Sequence, residues 1–143
     1  MDNLIFFIGF LPLIIGLFES WIMMNYIELL PSPIIEGILF LLLWGVVAFF
    51  VSKNTKSIPK FLILMNIVPA LVLVLLAVQV FGFGGYWPNV IGTWSQHFYS
   101  SLLGISVLIT RSWDFPFWAY TFSFVGMVIV SSIGCALRNA ERL

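Results

Sequence analysis

The sequence predicts an all-α polytopic membrane protein. It has four transmembrane helices and an additional interfacial or re-entrant helix in the connection before the last. Three observations carry that prediction. Of 143 residues, 62% are hydrophobic and 8% charged, whereas a soluble domain carries about 45–50% apolar and about 25% charged residues. Four apolar stretches each approach the roughly 20 residues that cross a bilayer as a helix. The lysines and arginines cluster at one set of their ends. Twelve formal charges, six of each sign, cannot wrap a chain of this size in a water-facing surface. An ordinary soluble enzyme, a disordered tail and a free nucleic-acid binder are therefore excluded.

The first stretch covers 4–27 and is interrupted by Glu19 and Asn25; the second covers 33–51, the third 58–81 and the last 115–137. At 1.5 Å per residue, lengths of about 18–24 residues give about 27–36 Å, which matches a hydrocarbon core of about 30 Å with modest tilt. Met1-Asp2-Asn3-Leu4 lacks the positive region of a secretory signal, so the first stretch is expected to be a retained span. Three starts share one chemistry: Ser32 precedes Pro33, Ser57 precedes Ile58-Pro59, and Asp114 precedes Phe115-Pro116. A side-chain oxygen there can cap a free N–H, and proline in the first turn loses no helical bond. The whole chain, 1–143, reads as one integral membrane domain.

Orientation follows from the cations. Lys53, Lys56 and Lys60 flank the 52–57 loop, and Arg138 and Arg142 follow the last span. The positive-inside rule puts these and both termini in the cytoplasm, with Arg111 outside. Trp21, Trp87, Trp94, Trp113 and Trp118 then fall near the outer interface, where indole rings are favoured, and Trp44 lies deep. The compact loops suit a bacterial plasma membrane.

The connection 82–114 is the ambiguous part. Its segment 90–109 is long enough for a fifth span, but it carries Thr93, Ser95, Gln96, His97, Ser100, Ser101 and Ser106. Phe98, Leu102, Ile105 and Ile109 form a helical stripe, so the expected element is a helix on, or dipping into, the outer leaflet. A fifth transmembrane helix is the alternative. The glycine-rich run Gly82–Pro88 lacks the lysine ending of a phosphate loop and reads as a flexible connection.

Polar groups inside a bilayer need partners or water. Glu19, Glu28, Glu36, His97, Arg111 and Asp114 all gather toward the outer leaflet in this topology. They are expected to border an outward-facing cavity roofed by 82–109, with Glu19 as a candidate proton or cation acceptor. Pro12 and Pro69 read as kinks in the first and third helices, each freeing a carbonyl four residues back. Asn66, beside the second kink, is placed to satisfy a group freed there. Small residues on the first, second and last helices suit close helix packing.

The residues point to no catalytic set. His97 has no second histidine or cysteine beside it, and the single Cys135 can form no internal disulfide. No metal site and no cofactor is implied. Serine, histidine and aspartate occur without the spacing of a nucleophile elbow. The expected function is therefore a non-catalytic accessory, immunity or interaction subunit. The alternatives are a small oligomeric transporter or channel using Glu19, and an outer-leaflet lipid-modifying enzyme. The expected partners are the lipid bilayer and another membrane protein or a second copy of the chain, and not a nucleic acid.

Overall fold

The computed structural model describes residues 2–53, 55, 57–111 and 116–140. Among them the elements are helical, in the order α1 (Asp2–Ile8), α2 (Leu11–Asn25), a 3-10 turn (Ile27–Leu29), α3 (Pro33–Ser52), α4 (Ile58–Ala77) running on through a π-helical turn (Val78–Gly82), α5 (Val90–His97), α6 (Ser100–Thr110) and α7 (Phe117–Ala140). Four stretches are long and apolar enough to cross a membrane: Asp2–Asn25, Pro33–Ser52, Ile58–Gly82 and Phe117–Ala140. They coincide with the four predicted spans to within a few residues. The 90–109 segment is instead split between α5 and α6, with Phe98 and Tyr99 forming a turn. Neither piece, at 8 and 11 residues, is long enough to cross as a helix.

Local signals set the starts, with one difference from expectation. Helix α3 opens on Pro33, and α4 has Pro59 in its first turn, but neither Ser32 nor Ser57 makes a side-chain capping bond. Their backbone carbonyls accept from Glu36 and Phe61 instead. The third expected cap, Asp114, lies outside the described residues. The side-chain cap that does form is Asn89, whose Oδ1 accepts from the Gly92 N–H at 2.9 Å.

Pro12 does not kink a continuous helix. The chain turns at Gly9-Phe10, and Pro12 stands in the first turn of α2, where a missing N–H costs nothing. Pro69 does lie inside α4. Asn66 nevertheless leaves the Met65 carbonyl alone: its Nδ2 donates to the Leu62 carbonyl at 2.9 Å and to Ser131 Oγ at 3.1 Å.

The helices form a bundle whose largest interface is α3 against α7. A Cβ on Gly134 would stand 2.5 Å from the Gly45 carbonyl oxygen, so the two backbones meet at a distance that only glycine tolerates. Such close approach replaces the hydrophobic drive that lipid does not supply. At the other side α1 runs along the start of α4, with Gly9 against Val68 and Asp2 ion-paired with Lys60. That pair is half-exposed and contributes little to stability.

Burial is inverted relative to a soluble protein. In α5 and α6, Ser95, Ser101, Ser106 and Thr110 are buried, while Val107, Leu108 and Ile109 are more than half exposed. The apolar stripe expected to face inward is thus only partly inside. Phe98 and Leu102 are in the core, whereas Ile109 faces out. Trp44 is fully buried and stacks on Phe40 at 6.2 Å between ring centroids.

Candidate functional site: an acidic pair beside a broken helix

The polar side chains of the interior bind one another across helices. At the end of the bundle that carries Gly82, Gln79 Nε2 donates to Ser95 Oγ at 2.9 Å. Its Oε1 accepts from the Trp87 N–H at 3.0 Å. Gln79 belongs to the π-helical turn, which rotates its side chain off the ordinary helical register. Deeper in α4, the Tyr99 hydroxyl donates to the Pro69 carbonyl at 2.6 Å. Ser106 and Ser123 share a hydrogen bond of 2.8 Å between α6 and α7.

Glu19 is the carboxyl-bearing member of this set. Ser100 Oγ donates to one of its carboxylate oxygens at 2.9 Å and Ser101 Oγ donates to the other. The turn at Phe98-Tyr99 is what brings two consecutive serines to face α2. Gly16, one turn earlier on α2, allows that approach. A Cβ there would lie 1.9 Å from the His97 carbonyl oxygen and 2.7 Å from Ser100 Oγ. Glycine at 16 and the serines at 100 and 101 thus form one joint between the first span and the broken helix.

Glu36, one turn into α3, interacts directly with Glu19. The two carboxyl groups line a cleft of about 220 Å³ with Ile15, Pro31, Leu39, Phe40 and Leu43. Leu39 and Leu43 are exposed on the flank of α3, so the cleft opens sideways from the bundle. None of its lining residues comes from 82–109; that segment meets Glu19 through Ser100 and Ser101.

Of the remaining expected residues, Glu28, His97 and Arg111 do not line the cleft. Glu28 is exposed on the 3-10 turn and Arg111 is exposed after α6. His97 is half-buried at the end of α5, where its carbonyl, not its ring, abuts Gly16. Asp114 lies outside the described residues, as does Lys56. Lys53 and Lys60 lie at the opposite end of the bundle, after α3 and in the first turn of α4. Among the described residues no cluster of three histidine, cysteine or acidic side chains could hold a metal ion.

Sequence reasoning placed Glu19 and Glu36 at one leaflet but missed their partners. Ser100 and Ser101 read as loop-side polarity in a surface helix. Gln79 and Tyr99 carried no signal beyond being polar groups in apolar surroundings. The chain matches no protein-family model, no curated protein and no solved structure.

Proposed function

We propose that the chain is a small multi-pass protein of a plasma membrane, with both termini cytoplasmic and a non-catalytic role as an accessory or interaction subunit. Its 90–110 segment is a re-entrant helical hairpin. The partners met along that segment support the hairpin. Ser95 pairs with Gln79 at the end of α4, Tyr99 with Pro69 well inside it, and Gly104 packs on Pro33 at the start of α3. The path goes in and returns to the same end. Lys53, Lys60 and Arg138 at the other end support the orientation. Topology is tested by cysteine labelling, which the buried Cys135 leaves free of background. A cysteine at Gly85, where a side chain meets nothing within 4 Å, is expected to react with an impermeant maleimide on intact cells, and one at Thr55 only after permeabilisation. The reverse pattern overturns the orientation.

The single observation that carries a non-catalytic role is that five interior polar side chains are engaged in helix–helix contacts. Glu19, Gln79, Tyr99, Asn66 and Ser106 each hold another segment in place. The lipid-facing helix flanks are then the surface through which such a protein works. A photo-crosslinker at the exposed positions Ile14 and Ile129 is expected to give a discrete adduct with a membrane protein in cells. Adducts to lipid alone from both positions would overturn the interaction role.

A second reading is favoured by the contact between Glu19 and Glu36. Two carboxyl groups beside a broken helix are the arrangement in which small transporters bind a proton or cation. This reading requires pH-dependent flux in liposomes that depends on both glutamates.

A further inference from the structure

The first span and α3 leave a crevice between them. Helix α2 packs on α5 and α6, and α3 on α6 and α7, but the two scarcely touch each other. The cleft that holds Glu19 and Glu36 lies in this gap. One turn further along both helices, from Ile15 to Leu11 and from Leu43 to Val47, comes a second cleft of about 380 Å³. Phe7, Leu11, Ile14 and Val47 are among its walls. Ile14, Leu39 and Leu43 are all about half exposed, so the crevice is entered from the side of the bundle and not from its end.

Charge, polarity and length select the occupant. The charge at one end is negative and uncompensated. Glu19 has its serine donors, but among the described residues the only polar group acting on the Glu36 carboxyl is that of Glu19. Neither glutamate has an ion-pair partner there. Two carboxyl groups in contact keep one negative charge by sharing a proton, or both charges with a cation beside them. The lateral entrance selects which cation. A hydrated metal ion would have to shed its water to pass the apolar flank, whereas an organic cation covered by alkyl groups enters from lipid at far smaller cost. A primary ammonium beside a carboxylate in apolar surroundings gives up its proton and its charge. A quaternary ammonium keeps its charge, and the Phe40 ring in the cleft wall suits that group. From Glu36 to Val47 the crevice follows α3 for about 16 Å at 1.5 Å per residue, close to the roughly 15 Å of one leaflet in a hydrocarbon core of about 30 Å. That length accepts an alkyl chain. The phosphate of an ordinary phospholipid would be repelled by the carboxyl groups.

We propose that this crevice binds a single-chain quaternary ammonium amphiphile taken up from the bilayer, with the headgroup at Glu36 and Glu19 and the alkyl chain along Leu43, Leu11 and Val47. Such a ligand is the substrate class of the transporter reading above and rests on its acidic pair, although binding by itself requires no transport.

Equilibrium dialysis tests the site. The full chain in phosphatidylcholine nanodiscs is titrated with radiolabelled dodecyltrimethylammonium, and empty nanodiscs give the background of simple partitioning. Saturable binding above that background is expected. Glu36→Gln should weaken it by at least about ten-fold, the scale of losing one partner of a partly buried ion pair. Leu43→Trp, at a half-exposed wall position, should weaken it comparably by filling the crevice with every charge left in place. Glu28→Gln, which removes an acid outside the cleft, should change nothing. Unlabelled dodecylphosphocholine, with the same tail and a phosphate, should not compete. Absence of saturable binding overturns the site. Unchanged affinity in Glu36→Gln overturns the headgroup position, and unchanged affinity in Leu43→Trp overturns the crevice; either variant decides the matter if the other does not fold. Competition by dodecylphosphocholine overturns the selection by charge. Saturable binding without flux in liposomes upholds the site and removes the transporter reading, whereas proton flux without binding does the reverse.

Discussion

Gly16→Val is expected to detach the broken helix from the first span and to lower the stability of the bundle by more than about 3 kcal/mol, above the usual 1–3 kcal/mol of overpacking. The reason is geometric. The first side-chain atom would meet the His97 carbonyl oxygen at 1.9 Å, and backbone cannot swing aside as a flexible side chain can. Relief requires α5 and α6 to move from α2, which also separates Ser100 and Ser101 from Glu19. Thermal unfolding in detergent should show a fall of about 6–12 °C by the size scaling for chains of 150–250 residues. The 82–116 connection should become susceptible to protease. Gly85→Ala is the matched control, since nothing lies within 4 Å of a Cβ there and its φ is ordinary. A Gly16→Val protein as stable as that control would mean that the joint between α2 and the 97–101 turn does not exist.

The acidic pair gives the second large effect, and it separates the two functional readings. Glu19→Leu deletes two hydrogen bonds between helices, each worth about 0.6 kcal/mol on average and up to about 1.7 in membrane proteins. A loss of about 1–3 kcal/mol is therefore expected. Ser100 keeps its bond to the His97 carbonyl at 3.0 Å, so part of the cost is recovered. Glu19→Gln preserves an oxygen acceptor and a polar group of the same shape, and stability should change by less than about 1 kcal/mol. If Glu19 only fastens α6 to α2 and Glu36 only lines the cleft, Glu19→Gln and Glu36→Gln leave the protein's cellular function intact. If they carry a proton or cation, both variants fold and both lose pH-dependent flux in liposomes. Flux in wild type that survives both substitutions removes the acidic pair from any transport role.

The four spans were legible because each is a property of a continuous run of sequence. Apolar length, a first-turn proline at Pro33 and Pro59, and lysines at one end identify a crossing helix without reference to the rest of the chain. The acidic site was only half legible. Glu19 and Glu36 stand out because a carboxyl group inside an apolar run is costly. Their surroundings do not, because Ser100 and Ser101 are 81 and 82 residues from Glu19 and serine is unremarkable in any helix. The stripe through Phe98, Leu102, Ile105 and Ile109 misled for a related reason. Amphipathic periodicity assumes that water lies outside, whereas here Ser101, Ser106 and Thr110 are buried and Ile109 faces outward.

By itself the sequence determined that the protein is helical, where its long helices begin and end, and which end of the bundle is basic. Each of these follows from the cost of exposing backbone or charge to an apolar surrounding, a cost paid residue by residue. Tertiary structure alone decided that Gly9-Phe10 interrupts the first span, that 90–110 folds as two helices set into the bundle, and that Glu19 meets Glu36. Those outcomes depend on distances between segments remote in the chain, such as Gly16 against His97 and Tyr99 against Pro69. In an apolar surrounding it is close packing and hydrogen bonds between helices, not apolar burial, that choose among the possible arrangements.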